Sequence, residues 1–469
     1  MIARLRTGPL VAALAAVLAA GCTVDNVKEE AVWRSQLESP RRPAPALAPG
    51  EVLTLQHALA MANSSNERLA LSGESYLQAL INKDRAAAAL LPSISLAPSY
   101  TQMQKFSAPP QVLQLFPIRY ADVPVQIAMQ FSATDVAKVA KAEVLAEYQL
   151  SVLLDLQADV LAQTAQVYYQ ILQLERQIGV LENSVKVQDE RVRDMQDKRK
   201  AGTARPLDVS LVESDAAAVR AMLVDARNRL VAARSGLAFL IGAAAVENPL
   251  SDGFALPAAP PLAEMQQQAS AHRQDLVAAR TLIAAADRGL KAAIAEYFPS
   301  ISLDLTTWLE RQSFPPDSRW FFMGSIYIPI FSGGLIHADV RTAYSLRRQA
   351  GEYLSLTSRQ VAQQVEVAYS NLQASGRRVG EYRTEAAAAR EAFALAEQGY
   401  QVGVATNLER LIAQDRLLQA ELQLAAEELN QKALYLQLLR QAGLLVDEFS
   451  SKAEPKAVRS TAEIARRGG

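Results

Sequence analysis

The strongest constraint on the fold is an internal repeat, because the second half of the sequence follows the pattern of the first. The segment 91–96 (Leu-Pro-Ser-Ile-Ser-Leu) returns at 298–303 with only its first residue changed. The segment 202–208 begins with Gly and ends in Leu-Asp, and it returns at 403–409 with Gly and Leu-Glu. An offset of about 200 residues is far longer than a solenoid period, so it indicates a duplicated domain.

Each half shows the same order of predicted elements: helix, strand, loop, strand, very long helix, tight turn and shorter helix. Apolar residues alternate with more polar ones before each long helix, which is typical of strands with two different faces. The predicted strands lie at about 92–104, 120–131, 299–310 and 320–331. The segment from Phe321 to Phe331 is apolar on both faces, so its pattern leaves its orientation open.

Two stretches, 132–200 and 332–400, contain no proline and predict helices on the order of 100 Å long. Apolar residues at alternating three- and four-residue spacing predict coiled-coil seams over 156–185 and again over 408–439. We expect the charged run 189–200 to be a solvated helix face. A rod of this length with strands at one end is typical of a periplasmic tube planted in a membrane.

The strand count constrains the assembly. Four strands in one chain leave open edges, and hydrocarbon does not tolerate bare hydrogen-bonding groups. Known outer-membrane barrels begin at about 8 strands, so several subunits would have to pool their strands. A trimer would supply about twelve strands, although spacing alone also permits a dimer or a tetramer.

The N-terminus predicts a signal peptide over residues 1–21. Two arginines precede an apolar stretch at 9–20, which is shorter than the roughly 20 residues of a membrane-spanning helix. The only cysteine of the chain, Cys22, follows directly, so an intramolecular disulfide is impossible. We expect Cys22 to carry a covalent lipid such as palmitate rather than to serve as a small buried apolar residue.

The segment 18–22 resembles the lipobox of bacterial lipoproteins, in which cleavage precedes a lipid-bearing cysteine. It departs from the usual pattern because Ala19 stands where the lipobox has Leu. Thr23 follows the cysteine in place of the Asp that resemblance associates with inner-membrane retention, which favours outer-membrane sorting. The polar, proline-rich segment 22–50 predicts a lipid anchor followed by an extended linker.

Several function classes are excluded by the sequence. A formal net charge of -1 offers no electrostatic footprint for nucleic acid. No phosphate-binding loop, His-Glu-x-x-His pair or Gly-x-Ser-x-Gly motif is present, so we expect no enzyme activity. His57, His272 and His337 are isolated, which predicts no metal site, and the lipid on Cys22 is the one expected covalent group.

Two motifs add a family resemblance to the duplication. The segment 328–334 (Ile-Pro-Ile-Phe-Ser-Gly-Gly) looks like a strand-to-helix junction, and 400–403 (Tyr-Gln-Val-Gly) looks like a helix-end turn. Together they resemble the TolC-like outer-membrane efflux proteins, in particular the lipidated branch typified by OprM, over about 51–445. The first-half junction, 131–134, lacks the glycine pair. We predict repeats at 51–250 and 251–447 and a polar tail at 448–469.

The resemblance implies a mainly α-helical chain with a membrane β-barrel. A homotrimer would form a barrel of about twelve strands, continued by a periplasmic α-helical barrel. The implied function is a passive outer-membrane channel subunit of a tripartite efflux or secretion system. Its implied partners are a periplasmic adaptor, an inner-membrane pump and outer-membrane lipid. The alternative is a non-conducting, periplasm-spanning tether or scaffold lipoprotein, which leaves the paired strands in both halves unexplained.

The resemblance also suggests a periplasmic gate at the far end of the long helices. Tyr400 would help to latch the helices, and Glu409 would form an acidic ring, with Asp208 at the matching place in the first half. One helical turn after Glu409 the sequence has Ile412 in place of a second acid. The turns at Gly202 and Gly403 would contact the adaptor. The simpler alternatives are solvated helix charges and glycines that only let a helix end with positive φ.

Overall fold

A computed structural model of the protein describes residues 24–37, 50–104, 109 and 118–450. The predicted signal peptide, Cys22 and nearly all of the predicted tail lie outside these residues. The helices are α1 (Asn26–Arg34), α2 (Leu55–Ser65), α3 (Glu67–Ala88), α4 (Ala133–Lys200), α5 (Pro206–Leu240), α6 (Leu262–His272), α7 (Gln274–Ala295), α8 (Leu335–Gln401), α9 (Asn407–Ala442) and α10 (Leu445–Ser450). The strands are β1 (Ser93–Leu96), β2 (Ser99–Gln102), β3 (Arg119–Ser132), β4 (Ser300–Arg311) and β5 (Trp320–Tyr327).

The two halves share one order of elements. Helices α2 and α3, strands β1 to β3 and helices α4 and α5 make up the first half. Helices α6 and α7, strands β4 and β5 and helices α8 and α9 repeat that order in the second. The strands of both halves form one antiparallel sheet, in which β3 pairs with β4 across the duplication. The sheet therefore joins the first repeat to the second through the pairing of β3 with β4.

The first predicted strand is divided in two, and prolines explain the division. Both β1 and β2 pair with β3, so the sheet is four strands wide although it contains five strands. Pro98 lies between β1 and β2, and Pro124 lies at a register shift with β4, where Leu309 of β4 is the extra residue. The Ala97 N–H donates to the Pro124 carbonyl at 3.1 Å, but neither proline has an N–H to donate, so the ladder is interrupted between β1 and β2.

The last strand is shorter than predicted. It ends at Tyr327 instead of about residue 331, because Pro329 cannot donate to a neighbouring strand. Every residue of β5 is exposed in the single chain, and β5 pairs on one side only, with β4. The sheet thus has an apolar, unpaired edge.

The long helix α4 begins directly after β3, whereas α8 begins after the segment 328–334 that follows β5. Helix α4 has 68 residues and α8 has 67, so each is about 100 Å long. Ser132 ends β3 and caps α4, accepting a hydrogen bond from the backbone N–H of Asp135 at 3.0 Å. Helix α8 follows Gly333 and Gly334, both of which have positive φ. The two junctions therefore differ both in chemistry and in length.

The predicted seams hold the helices together. In α4, Val160, Ile171, Leu174 and Leu181 are buried, and in α9 Leu411, Leu418, Leu429, Leu436 and Leu439 are buried. The prediction for Leu408 is wrong, because this residue is 55% exposed in the first turn of α9, before the helix enters the packing.

Among the residues that the structure describes, no helix is both long enough and apolar enough to cross a membrane.

The linker predicted as extended over 22–50 contains a docked helix, α1. Asp25 caps it by accepting a hydrogen bond from the backbone N–H of Lys28 at 3.3 Å. Trp33 is 1% exposed, lies against Gly73 of α3 and donates from Nε1 to Glu74 Oε1 at 3.0 Å. The polar composition of this segment predicted an extended chain. Burial of Trp33 in an apolar cluster stabilises the helix instead.

Replacing Gly73 by alanine tests this contact. The new Cβ would overlap the Trp33 ring, so either the ring or α3 must move. We expect a loss of about 1–3 kcal/mol in unfolding free energy, as for other overpacked sites, and a more solvent-exposed Trp33. Tryptophan emission in a background with Trp308→Phe and Trp320→Phe reports the exposure. Gly179→Ala is the matched control, since nothing lies within 4 Å of its added Cβ; equal emission in the two variants would contradict the docking.

Candidate functional site

The two predicted turns meet at the far ends of the long helices. The first turn connects α4 to α5 and the second connects α8 to α9. Met195 of α4, Val209 of α5 and Leu411 of α9 form a small apolar cluster, against which Tyr400 packs. Helices from both halves therefore converge here, about 100 Å along the helices from the sheet.

Each turn is closed by a glycine in the left-handed region. Gly202 has φ 77° and Gly403 has φ 79°, as the sequence predicted. The N–H after each glycine donates five residues back, from Thr203 to the Lys198 carbonyl and from Val404 to the Gly399 carbonyl, at 2.8 Å in both turns. These are Schellman motifs, which satisfy carbonyl groups at a helix end. The conformation requires glycine whether or not a partner docks.

Glu409 takes part in a capping box with Thr406, and Asp208 accepts at the start of α5 without the reciprocal side-chain bond, because an arginine side chain has no acceptor. The Glu409 carboxylate accepts from the Thr406 backbone N–H at 2.7 Å and from its hydroxyl at 2.9 Å. Asp208 accepts from the backbone N–H of Arg205 at 3.3 Å and from its guanidinium at 2.9 Å. These hydrogen bonds lower the pKa of both carboxyl groups, the first through the Thr406 backbone and the second through the Arg205 side chain. Both side chains thus have a local structural task.

Tyr400 lies among cations. The Arg410 guanidinium lies 4.0 Å and the Lys198 ammonium 5.1 Å from the centroid of the Tyr400 ring, which is cation–π geometry. Through these contacts the tyrosine bridges α8 to α9 and to the end of α4. Tyr400 therefore contacts residues of other helices, whereas the described partners of Glu409 and Asp208 lie in the cap of the same helix.

A cavity of about 560 Å³ opens between the two turns. Its lining combines two acids, two bases and several neutral polar groups: Asp194, Lys198, Thr203, Glu397, Tyr400, Gln401 and Arg410. The charges balance, so the lining favours neither cations nor anions. Among the described residues no His, Cys, Asp and Glu group is arranged to hold a metal ion.

Two buried arginines were missed by the sequence interpretation. The run 189–200 was predicted to be solvated, but Arg191 within it is 8% exposed, and Arg410 of α9 is 3% exposed. A signal was present, because the three- and four-residue spacing of the α4 seam continues past Leu181 through polar residues. The buried positions are Leu181, Ser184, Gln188, Arg191 and Met195. Following spacing rather than polarity would have found Arg191.

Residues 265–444 match the family described as outer membrane efflux protein. This part of the chain is similar to that family, and the match covers less than half of the chain. The outer membrane protein VceC of Vibrio cholerae has the same fold, with a TM-score of 0.73, 20% sequence identity and coverage of 83% of this chain and 96% of that chain. The chain thus shares its mainly helical fold with an antiparallel sheet with that outer membrane protein.

Curated relatives of the family match at lower coverage. The probable efflux pump outer membrane protein SepC of Pseudomonas putida is 24% identical over 267 residues, which is 54% of this chain and 54% of that protein. The outer membrane protein TolC of Escherichia coli is 30% identical over 106 residues, which is 23% of this chain and 22% of TolC. The match to SepC thus spans only about half of the relative's length.

The capping box at α9 predicts a specific response to mutation and acid. Thr406→Ala should weaken the first turn of α9 by about 1 kcal/mol, seen as faster amide exchange at 407–410.

The Glu409 carboxylate predicts a response of the same turn to acid. Because the Glu409 pKa is lowered, the stability that Glu409 adds to the turn is present above the ordinary value of 4.5 and is lost as pH falls through the lower folded value. Glu409→Gln is the control: glutamine can also serve in a capping box, so its turn should not respond to acid through residue 409. If amide exchange at 407–410 depended on pH identically in wild type and in Glu409→Gln, the capping role of Glu409 would be contradicted.

Proposed function

We propose that the protein is a subunit of the outer-membrane channel of a tripartite efflux system and gives small molecules a passive path to the exterior. The observation that carries the proposal is the geometry of one chain. An exposed, open-edged sheet leads into two helices that are each about 100 Å long, one directly and one after the segment 328–334. Such a chain can join a membrane to a partner far from it.

The apolar surface of the sheet supports a membrane location. Large apolar side chains of β5 are exposed in the single chain: Trp320, Phe321, Phe322, Met323, Ile326 and Tyr327. Exposed apolar area costs roughly 25 cal/mol per Å² in water, and patches larger than a few hundred Å² indicate contact with lipid or another protein. Lipid outside and neighbouring subunits at the edges would together cover this surface.

The edges support a closed oligomer. The strands β1 and β2 form one edge and β5 forms the other, so each copy offers two unpaired strand edges. In hydrocarbon such edges persist only when a ring of copies closes the sheet. We propose a homotrimer with about twelve strand positions, within the range of known outer-membrane barrels, continued by a helical barrel built from α4, α5, α8 and α9.

The helix turns are the proposed adaptor contacts. Val402 and Val404 flank Gly403, and Val404 is 84% exposed, as expected for a surface that a partner covers. We propose that the turns at Gly202 and Gly403 bind a periplasmic adaptor, which connects the channel to an inner-membrane pump. The energy then comes from the pump, and the names of several relatives refer to efflux pumps.

Tyr400, Glu409 and Asp208 are the proposed gate residues. Glu409 is exposed at the start of α9, so three copies around an axis would repel one another and attract cations. The Tyr400 ring would hold α8 and α9 together through Arg410. Tyr400→Phe keeps the aromatic ring beside Arg410, so we expect it to loosen the contact between α8 and α9 less than Tyr400→Ala does.

A lipid on Cys22 is the proposed anchor of the OprM-type branch. Cys22 lies just before α1, whose Trp33 is fixed against α3. We expect Cys22→Ser to abolish incorporation of radiolabelled palmitate. Incorporation at the wild-type level would rule out Cys22 as the lipid site, whatever the channel does.

Single-channel recording tests the function. The purified protein should give discrete conductance steps in a planar lipid bilayer. The alternative, a non-conducting tether or scaffold, predicts no steps at any protein concentration, and that result would overturn the channel proposal.

The acidic ring makes a separate prediction about selectivity. Glu409→Gln removes the charge but keeps a capping side chain, whereas Glu409→Ala removes both. Both variants should lose cation preference to a similar extent, measured as the reversal potential in a salt gradient. Cation preference that survives in both variants would show that Glu409 does not face the ion path.

A further inference from the structure

The pairing register assigns each paired residue of the sheet to one of two faces. Partners on neighbouring strands point to the same side, and successive residues along a strand alternate. Ile301 of β4 is paired with Phe131 of β3 and with Ile326 of β5. The next residue, Ser302, is paired with Ser325 of β5. One face of the sheet therefore contains Ile301 and its partners, and the other contains Ser302 and its partners.

Two contacts agree with this assignment. The hydroxyl oxygens of Ser302 and Ser325 lie 2.6 Å apart, so both side chains are on one face. A Cβ added to Gly324 would lie 3.6 Å from Leu303 Cδ2, so these two positions share the other face. The orientation of β5, which its sequence pattern left open, is thus determined by its pairing with β4.

The face that contains Ile301 is apolar. From Val125 to Phe131 of β3, and at the paired positions of the other strands, this face has no charged residue. Its large side chains include those of Ile127, Met129, Leu303, Leu305, Phe322 and Ile326. In the proposed channel this face would meet lipid, because removing apolar area from water is favourable and the outside of a membrane barrel is apolar.

The opposite face is polar but almost uncharged. Between Pro124 and Ser132 of β3 and at their paired positions, many of its side chains are amides and hydroxyls: Ser95, Gln126, Gln130, Ser302, Thr306 and Ser325. Asp304 of β4 is the one charged residue among these paired positions. The polar face would line the water-filled interior of the proposed barrel. That stretch of the interior would therefore have one carboxylate for each copy of the chain.

Asp304 has no counter-charge beside it. Its paired partners are Ala128 of β3 and Met323 of β5, whose side chains are uncharged and cannot donate a hydrogen bond. The Asp304 carboxylate makes no hydrogen bond or ion pair with any residue that the structure describes. The nearest basic residue of β4 is Arg311, about 23 Å further along the strand, where its guanidinium lies 3.9 Å from the Trp308 ring centroid. The negative charge of Asp304 is therefore not neutralised within the sheet.

Symmetry would multiply this charge. In the proposed trimer three copies of Asp304 would lie at one level of the pore, with no basic residue of the paired polar face between them. Rings of carboxylates attract cations and repel anions. A wall of strands and lipid has a low dielectric constant, so it concentrates the field of the ring in the water-filled interior.

We propose that Asp304 is a specificity-determining residue, which favours cationic over anionic solutes at the level of the membrane. The favoured class would contain inorganic cations and organic molecules with a protonated amine. This inference rests on the proposed channel function, because it requires a closed barrel with the polar face inside. It is separate from the proposed ring of Glu409, which lies at the other end of the long helices, about 100 Å away.

Charged thiol reagents measure the field beside Asp304. Ser302→Cys, two residues away on the same face, is introduced into the full chain and studied in lipid vesicles. Its reaction rates with a cationic and an anionic methanethiosulfonate are compared, and the chain without an added cysteine gives the background from Cys22, the only native cysteine. In low salt, where screening is weak, we expect Asp304→Asn to lower the cationic-to-anionic rate ratio about tenfold. An unchanged ratio would overturn the role of Asp304.

Glu310→Gln is the matched control. It removes a carboxylate from the same strand, but Glu310 is paired with Val123, so it lies on the side of the apolar face. We expect the rate ratio at Ser302→Cys to stay at the value found with both acids present. If Glu310→Gln lowered the ratio as much as Asp304→Asn, a general loss of negative charge would be the cause, and the special role of Asp304 would be wrong.

A cysteine on the apolar face separates this inference from the proposed function. In vesicles Leu303→Cys should not react with either reagent, because lipid would cover it, whereas Ser302→Cys should react with both. Equal reaction at the two positions would show that neither face is in lipid and would overturn the proposed membrane channel. If Leu303→Cys is protected but Asp304→Asn leaves the ratio unchanged, the channel proposal stands and the role of Asp304 is wrong.

Reversal potentials in a salt gradient test the consequence for permeation. Asp304→Lys would replace the three negative charges of the ring by three positive ones. We expect the cation-to-anion permeability ratio to fall about tenfold relative to wild type, with Asp304→Asn in between. A conducting Asp304→Lys channel with the wild-type reversal potential would overturn the inference. A wild-type protein that gave no current would overturn the proposed function instead.

Discussion

The hydrogen-bonding groups at the two edges of the sheet are the constraint on which the rest of the structure depends. In one chain, β1 with β2 on one side and β5 on the other present unpaired N–H and carbonyl groups beside a row of exposed aromatic side chains. Exposed aromatic rings are unfavourable in water, and unpaired backbone N–H and carbonyl groups are unfavourable in lipid. Neither environment therefore suits both surfaces. The proposed association of several chains would resolve the conflict by pairing the edges and leaving the rings to face lipid.

This constraint gives the long helices their arrangement. Ser132 continues β3 into α4 without a loop, and Gly333 with Gly334 turns the chain from β5 into α8. A ring of sheets would therefore carry a ring of helices that extends about 100 Å to the turns at Gly202 and Gly403. The apolar seams hold the helices in register near the sheet. The charged and polar contacts of Arg191, Glu397 and Arg410 take over this task near the turns.

Much of the fold could be predicted because repeat, periodicity and proline positions are local properties of the sequence. The long helices, the strand pairs and the positive φ of both turn glycines were predicted in this way. The docked helix α1 could not be predicted, because Trp33 is buried by Gly73, a residue distant in sequence. The gate roles of Tyr400, Glu409 and Asp208 stay predictions. The three-helix contact of Glu397 could not be predicted, because it arises only once both halves of the chain are packed together.

We propose that one copy of this sheet is incomplete, and the mass of the protein in detergent tests this proposal. Native mass spectrometry of the purified full-length protein should show three copies of the chain, and infrared spectra of the same sample should show antiparallel strands. A stable single copy that retained the strand signal would contradict the account, because the open edges would then be tolerated without partners.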